Sequence, residues 1–342
     1  MADPHATPAA SLSLEGRPAG EVQFSAVIPC WDEEPNILPL AERLQKVFEE
    51  QIGCRDFEVI FIDNGSTDGG LELMRRLHRE DPRFKYLSLS RNFGHAGAVC
   101  AGFDAARGRF VVLMDGDLQD PPEMIARFWE RYRNGDLDVV YGVREKREKE
   151  SFLKKLGMKW FYRVWRRTAY IHIPLDAGNF CLMNRKVVDA LVTMRERGRF
   201  VPGLRAFVGF RQDGIPFVRP GRAAGEAKTN FFILSGIAIE GLLAFSVFPL
   251  RLLMITGLVA MGLAFVMAVF VAGARIGSWI TGEELSPLIG NLSAAYLLLG
   301  GANMLGIGVI GEYVGRIYQE VKQRPIYVVR EAGLGAGTAS ES

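Results

Sequence analysis

The hydropathy of the chain changes abruptly near residue 230, and this change limits the possible folds more than any other feature. Residues 231–315 are almost continuously apolar, whereas residues 1–230 alternate short charged and apolar stretches. Residues 252–274 and 288–311 contain no charged side chain, and each stretch is long enough to cross about 30 Å of hydrocarbon as a helix. The pattern predicts a polar domain followed by two transmembrane helices, with a pair of buried core helices as the alternative.

Charged residues around these two stretches predict their orientation. Arg275 is the single basic residue between them, while four basic residues follow the second stretch. By the positive-inside rule, the polar domain and the C-terminal tail then both lie in the cytoplasm, at the inner face of the cell membrane. Residues 1–22 lack the basic start and apolar centre of a signal peptide, so we expect a disordered tail there.

The polar domain alternates strand and helix patterns. Runs of apolar and β-branched residues predict strands over 24–29, 57–62, 86–89, 110–114 and 138–141. Helical spacing predicts helices over 37–51, 71–80 and 95–107, the second with Ser66 or Thr67 as its N-cap. This alternation indicates an α/β fold with a mostly parallel sheet and helices on both faces.

A pair of carboxylates directly follows the fourth predicted strand. Asp115 and Asp117 are separated by Gly116, and in extended chain such neighbours point to the same side. Two carboxylates beside a diphosphate form the oxygen-rich site that Mg²⁺ or Mn²⁺ prefers. Pairs of this kind also occur in solvated turns, but the position after a buried strand favours the metal site.

Two further acids follow strands at the same edge. Ligands of open α/β sheets bind outside the carboxyl ends of the strands. Asp63 ends the second predicted strand, where a carboxylate can accept hydrogen bonds from a base or ribose, or can shape the turn with Asn64 and Gly65. Glu33 lies in the loop after the first strand and faces the same crevice. His95 stays open between a structural and a functional role.

Several motifs resemble one enzyme family in their order along the chain. They are AVIPCWDEEPNI (26–37), VIFIDNGSTD (59–68), SRNFGHAG (90–97), VLMDGDLQDPP (112–122) and GEYVGRIYQEVKQRPIYV (311–328). Together they resemble the family-two, GT-A-fold polyprenyl-phosphate glycosyltransferases, in particular the bacterial two-span undecaprenyl-phosphate glucosyltransferase-like subgroup related to dolichyl-phosphate mannose synthase. The resemblance covers roughly residues 24–330 and does not specify the sugar.

The resemblance implies roles for the acids and for one proline. Pro29, Glu33 and Asp63 would line the nucleoside pocket. Asp115 would contact the nucleotide and share the metal site, and Asp117 would be the main protein ligand of the metal. The chain departs from the family by having Trp-Asp, and not Tyr-Asn, before Glu33; this departure concerns the base contacts and leaves the metal motif intact.

The same resemblance points to the acceptor side of the site. Asp176, in LDAGNF, corresponds to an acid that reaches the reaction centre, either as a base or as a positioning group. Arg222 and Lys228 match a basic motif and would bind the acceptor phosphate or the leaving diphosphate, since arginine can hold phosphate oxygens bidentately. Ala227 stands where relatives carry serine. Ordinary juxtamembrane charge is the alternative for both cations.

A basic, aromatic segment precedes the acceptor motif. Residues 144–167 hold ten basic and three acidic side chains, a local net charge of +7, interleaved with five aromatic residues. Adjacent membrane spans favour lipid over nucleic acid as the partner, so 144–170 is predicted to be an interfacial helix. The predicted division is then a tail 1–22, a GT-A domain 23–228, a juxtamembrane helix 229–248, two spans within 249–312 and a cytoplasmic tail 313–342.

These features predict an enzyme that moves one sugar, with inversion, from a nucleotide-sugar to polyprenyl phosphate. UDP-glucose is the first expected donor, and GDP-mannose, UDP-galactose, UDP-N-acetylhexosamine and UDP-aminoarabinose are the alternatives. A processive polymer synthase would need more spans and a Q-x-x-R-W motif. A lipid-sugar transporter and a non-catalytic membrane scaffold are rivals from other classes. The spacing of Gly311 and Gly315 permits close helix packing and hence a homo-oligomer.

Overall fold

A computed structural model describes residues 22–144, 177–196, 201–218, 248–281 and 292–334. The chain forms two compact units. The first comprises Met1–Tyr162, Ile171–Ile237 and Arg324–Ser342, and the second comprises Arg163–Tyr170 and Ala238–Gln323. The predicted interfacial and juxtamembrane helices lie almost entirely outside the described residues, as does the predicted N-terminal tail.

The first unit is built on one mixed sheet. Its described strands are β1 (Phe24–Cys30), β2 (Phe57–Asp63), β3 (Phe84–Leu89), β4 (Phe110–Leu113), β5 (Val139–Arg144), β6 (Ala177–Asn184), β7 (Gln212–Phe217) and β8 (Val329–Gly333). They lie in the order β7-β5-β6-β4-β1-β2-β3-β8. The central strands β3, β2, β1 and β4 are all parallel, as are β5 and β7, whereas β6 runs antiparallel to β4 and β5, and β8 antiparallel to β3.

Helices cover both faces of this sheet. The described helices of the first unit are α1 (Glu34–Lys46, continued by a π-helical turn Val47–Ile52), α2 (Gly70–Glu80), α3 (Gly94–Ala105), α4 (Met124–Arg133), α5 (Arg185–Thr193) and α6 (Val201–Phe207). Helices α1, α2 and α4 pack on the face that contains Phe24, Val59 and Phe61. Helix α3 packs on the opposite face, where Gly102 approaches Val27 and Ile62. Strands buried on both faces explain the unbroken apolar runs of β1 and β2.

The five predicted strands and three predicted helices are confirmed, with boundaries that differ by a few residues. The sheet is more mixed than expected, because β6 and β8 enter it in the antiparallel sense. The predicted cap of α2 is wrong: its N-cap is Gly69, and it is the Asp68 carboxylate that accepts the backbone N–H of Gly70, the first residue of the helix. The Ser66 hydroxyl instead accepts a hydrogen bond from the backbone N–H of Asp32, and the Thr67 hydroxyl contacts the Asp32 carboxylate.

The second unit contains two long helices, α7 (Phe248–Thr281) and α8 (Leu292–Val321). Large apolar side chains are exposed along α7, among them Phe265, Phe270 and Trp279. Residues 252–274 lie within α7, and most of residues 288–311 lie within α8. Within the described ranges, no helix meets both the length and the hydropathy expected of a membrane span.

Candidate active site

The carboxyl edge of the parallel strands brings together acids that are far apart in sequence. Cys30 at the end of β1 pairs with Asp63 at the end of β2, and Asp115 follows β4, the other neighbour of β1. Burial raises the pKa of the Cys30 thiol well above its usual value, and the charges of Glu33, Asp63, Asp68 and Asp115 raise it further. Each of these four carboxylates therefore lies near enough to Cys30, at the end of β1, to act on its thiol.

Asp63 is held rigidly at this edge. Its side chain is buried, and one carboxylate oxygen accepts the backbone N–H of Ser66 at 2.8 Å. The other oxygen accepts the hydroxyl of Ser88, on β3, at 2.7 Å. An ionised carboxylate has about four lone-pair positions, and these two hydrogen bonds use only two of them. Its role in shaping the turn is therefore compatible with a binding role.

The loop that carries Glu33 is tied to the loop after β2. Asp32 has a left-handed backbone (φ 51°), and its carboxylate accepts the backbone N–H of Thr67 at 2.8 Å. The amide of Asn36 donates to the Glu33 carboxylate at 2.6 Å. A left-handed backbone is unfavourable for a residue other than glycine. At Asp32 the hydrogen bonds between the two loops stabilise this conformation. Asp32 therefore supplies a loop-to-loop contact.

The Asp-Gly-Asp turn is tightly packed beneath its two carboxylates. A side chain on Gly116 would lie 2.9 Å from the sulfur of Cys30, so only glycine fits there without a shift. Asp117 is 6% exposed, and its carboxylate accepts the backbone N–H of Gln119 at 3.1 Å. Leu118 is left-handed (φ 58°), which turns the chain sharply after the pair. The local backbone therefore fixes the direction of the Asp117 carboxylate.

A histidine and an asparagine extend the site. The Nε2 atom of His95, in the first turn of α3, lies 3.9 Å from a carboxylate oxygen of Asp115. The same nitrogen lies 2.8 Å from the side-chain nitrogen of Asn179, on β6. The motif around His95 leaves its role open. No sequence pattern identifies Asn179, because only the antiparallel insertion of β6 beside β4 brings it to this place.

An asparagine pair orients the start of α3. The side chain of Asn64, the residue after β2, donates to Asn92 at 3.1 Å and accepts the backbone N–H of Phe93 at 2.9 Å. Asn92 in turn accepts the backbone N–H of Gly94 at 2.8 Å. Gly65 has φ +71°, and a side chain on it would meet the backbone of Arg91 at 2.6 Å. This network joins the turn after β2 to the start of α3.

The donor set fits a hard divalent cation. Across the described ranges, no three His, Cys, Asp or Glu side chains are grouped so that they alone could hold a metal ion. Mg²⁺ sites in phosphate-transferring enzymes often use only one or two carboxylates, with substrate phosphates supplying the remaining ligands. Asp115 and Asp117 match that smaller requirement in residue type and position.

The predicted acceptor-side residues Asp176, Arg222 and Lys228 lie outside the described residues. The strand that follows the first of them is described. Ala177 begins β6 and pairs with Val143 near the end of β5. The amino-terminal end of β6 thus lies at the edge of the sheet that carries Asp63 and Asp115. Pro29, the penultimate residue of β1, is buried at the same edge.

A core of parallel strands with acids at its carboxyl edge and an Asp-x-Asp turn after the fourth strand is the arrangement of the GT-A fold of nucleotide-sugar transferases. Residues 25–192 match Glycosyl transferase family 2. The glycosyltransferase YkcC of Bacillus subtilis is 39% identical over 91% of this chain and 94% of its own length. The prophage bactoprenol glucosyl transferase homolog of Escherichia coli K12 is 36% identical over 90% of this chain and 99% of its own length.

A distant structural likeness involves a glucosyl-3-phosphoglycerate synthase of Mycobacterium tuberculosis, solved with Mn²⁺, UDP and glucosyl-3-phosphoglycerate. The TM-score is 0.42 at 13% identity, over 64% of this chain and 76% of that one. The sequence matches establish the family. The chain belongs to glycosyl transferase family 2 and is a glycosyltransferase.

Proposed function

We propose that this glycosyltransferase transfers one sugar from a nucleotide-sugar to polyprenyl phosphate, with UDP-glucose as the first expected donor. The observation that carries the proposal is the meeting of acids at the carboxyl edge of the sheet, where Asp63 ends β2 beside Cys30 of β1, and Asp115 and Asp117 follow β4 on the other side of β1. Support for the acceptor comes from the bactoprenol glucosyl transferase homolog that matches this chain over 90% of its length. GDP-mannose and the other UDP-sugars remain alternative donors.

The nucleoside is assigned to the crevice beside β1 and β2. Asp63 would accept hydrogen bonds from the base or ribose, because its carboxylate is oriented by Ser66 and Ser88 and retains acceptor capacity. Glu33, oriented by Asn36, would contact the ribose side. Pro29 would form part of the pocket wall. A preoriented carboxylate loses little side-chain entropy on binding, which favours tight recognition.

The diphosphate is assigned to the Asp-Gly-Asp turn. Asp117 and Asp115 would hold Mg²⁺ or Mn²⁺ together with the diphosphate oxygens, and the ion would neutralise the charge of the departing nucleoside diphosphate. The hydrogen bond from Gln119 and the close packing at Gly116 keep the Asp117 carboxylate in place.

The transfer step is a single displacement at the anomeric carbon. An oxygen of the lipid phosphate forms the new bond as the bond to the diphosphate oxygen breaks, so the anomeric configuration inverts. A phosphate monoester with a second pKa near 6 is mostly dianionic at pH 7, so it needs little deprotonation. Asp176 would therefore orient the sugar or acceptor, and Arg222 and Lys228 would bind phosphate oxygens.

The lipid acceptor requires the enzyme to work at a membrane, and we propose the inner face of the cytoplasmic membrane. Support comes from the uncharged stretches 252–274 and 288–311 and from the exposed apolar side chains of α7. The basic segment 144–170 would contact the headgroups. Alkaline carbonate extraction of cell membranes tests this proposal: the protein should stay in the pellet, and its release would contradict an integral location.

The reaction is tested with purified full-length protein, undecaprenyl phosphate, Mg²⁺ or Mn²⁺, and separate labelled nucleotide-sugars. We expect one organic-extractable product that EDTA abolishes. Asp117→Asn should lose at least about 100-fold in transfer rate, as removal of a transition-state electrostatic contact does. Asp189→Asn, an exposed acid on α5, is the matched control and should transfer normally. Folded protein that yields no lipid product from any donor would favour a scaffold or lipid-sugar transport role.

A further inference from the structure

The last described strand brings a basic residue to the edge of the sheet that carries the crevice. Strand β8 pairs antiparallel with β3, far from it in the chain. Nη2 of Arg330 donates to the hydroxyl of Ser88 at 2.8 Å and lies 3.7 Å from a carboxylate oxygen of Asp63. That Asp63 oxygen also accepts the Ser88 hydroxyl. The three side chains therefore form a relay from a guanidinium through a hydroxyl to a buried carboxylate.

A break in the strand register directs Arg330 toward this relay. Ser88 pairs with Glu331, and the next residue of β3, Leu89, pairs with Val329. Arg330 is thus the extra residue of a β-bulge. Neighbouring residues of a regular strand point to opposite faces, so the regular register would point Arg330 away from the face of Ser88 and Glu331. Bulges commonly redirect one side chain next to an active site.

Separate contacts hold β8 in place, so Arg330 is not needed as its anchor. The Glu331 carboxylate accepts two hydrogen bonds from Arg75, on α2, and a third from the Tyr86 hydroxyl at 2.7 Å. The Tyr327 hydroxyl donates to the buried Asp104 carboxylate at 2.6 Å. Arg330 itself is half exposed, with 51% of its side chain accessible.

We propose that Arg330 is a positioning residue for the nucleoside, acting through Ser88 on Asp63. The inference rests on the proposed role of Asp63 in binding the nucleoside of the donor. A hydroxyl that accepts from a cation and donates to a carboxylate is polarised, which strengthens both hydrogen bonds. The relay thereby fixes one oxygen of Asp63 and, with it, the orientation of the carboxylate. The segment that follows α8 in sequence thus completes the donor site.

The test compares variants of the full-length protein in nucleotide binding and transfer. Titration calorimetry with UDP, and with GDP in a parallel series, measures affinity; initial rates give the donor KM and kcat. Arg330→Gln should weaken nucleotide binding and raise the donor KM by roughly tenfold, the effect of losing one charge-assisted hydrogen bond, while kcat changes little. Arg330→Lys should restore part of the affinity. Tyr327→Phe removes an anchor of the same segment and should leave the donor KM unchanged.

A double-mutant cycle tests whether Arg330 acts on nucleotide binding through Ser88 or independently of it. Ser88→Ala should weaken binding to a similar extent, and the double variant Arg330→Gln/Ser88→Ala should be no weaker than the poorer single variant, because both remove one relay. Equal affinity of wild type and Arg330→Gln would overturn the inference and leave the proposed function intact. A wild-type protein that binds neither nucleotide and transfers no sugar would overturn both.

Discussion

A buried carboxylate at the opposite, amino-terminal edge of the sheet allows a quantitative test of what holds the strands together. Glu58, on β2, is 1% exposed and accepts hydrogen bonds from the Ser25 hydroxyl at 2.5 Å and from the backbone N–H of Arg107 at 2.6 Å. Its other oxygen accepts from Lys85 on β3, whose side chain is 13% exposed, at 2.6 Å. The Ser25 hydroxyl also accepts the backbone N–H of Gly108, just before β4. One carboxylate therefore joins three neighbouring strands and the loop that leads into β4.

The perturbation is Glu58→Gln, which keeps the shape and removes the charge. Lys85 then remains largely buried without its counter-charge. The new side-chain NH₂ of the glutamine also faces groups that donated to the carboxylate, so donor meets donor. Removing one partner of a buried ion pair costs about 3–5 kcal/mol. For a domain of this size that corresponds to a fall of roughly 10 °C in the melting temperature of the sheet-containing unit.

The assay is thermal unfolding of the purified full-length protein, followed by circular dichroism. Glu80→Gln is the matched control, because it removes an exposed ion pair with Arg76 on α2 and should not change the melting temperature measurably. Glu58→Gln/Lys85→Met should recover part of the loss, since no buried charge stays unpaired. A Glu58→Gln protein that melts within about 2 °C of wild type would refute the reasoning.

Three further predictions concern the site, the C-terminal strand and the packing of α3. Asp63→Asn should raise the donor KM at least tenfold with a smaller change in kcat, measured by initial rates, because an amide cannot accept from all its present donors. Hydrogen bonds from Arg75, and then from Tyr86, lower the pKa of the Glu331 carboxyl to about 2. After discounting for solvent screening, this shift contributes about 1 kcal/mol of folding stability above pH 4.5, which is lost as the pH falls toward 2. Acid unfolding titrations of Glu331→Gln should therefore lack this loss. Gly102→Ala should lower the melting temperature by several degrees, because its side chain would lie 2.2 Å from Val27; an unchanged melt would mean that α3 moves away from the sheet freely.

Much of the carboxyl edge of the sheet was predictable because it depends on local sequence pattern and one topological rule. The unbroken apolar runs of β1, β2 and β4 identify buried strands. Acids directly after such strands must meet at one edge when the strands are parallel. Asp63 and Asp115 follow that rule, because the strands that precede them pair with β1 on either side, and Glu33 follows β1 itself.

Other parts of the site depended on pairing between distant segments. The sequence pattern did not predict β6, β7 and β8. Their residues, 177–184, 212–217 and 329–333, lack a clear strand pattern, and each strand joins the sheet beside a strand that is distant in sequence. The contact of His95 with Asn179 exists because β6 lies antiparallel to β4. The predicted N-cap of α2 is wrong because Ser66 and Thr67 instead form hydrogen bonds with Asp32 in the neighbouring loop.

The sequence by itself determined the family, the positions of the first five strands along the chain and the position of the Asp-Gly-Asp turn. These features depend on hydrophobic periodicity and on short motifs, because both arise from interactions between residues that are close in sequence. Only the tertiary structure decided that Arg330, 242 residues from Ser88 in the chain, reaches the carboxylate of Asp63. That contact depends on the register and bulge of an antiparallel pair, and no local pattern encodes which distant strand a segment joins.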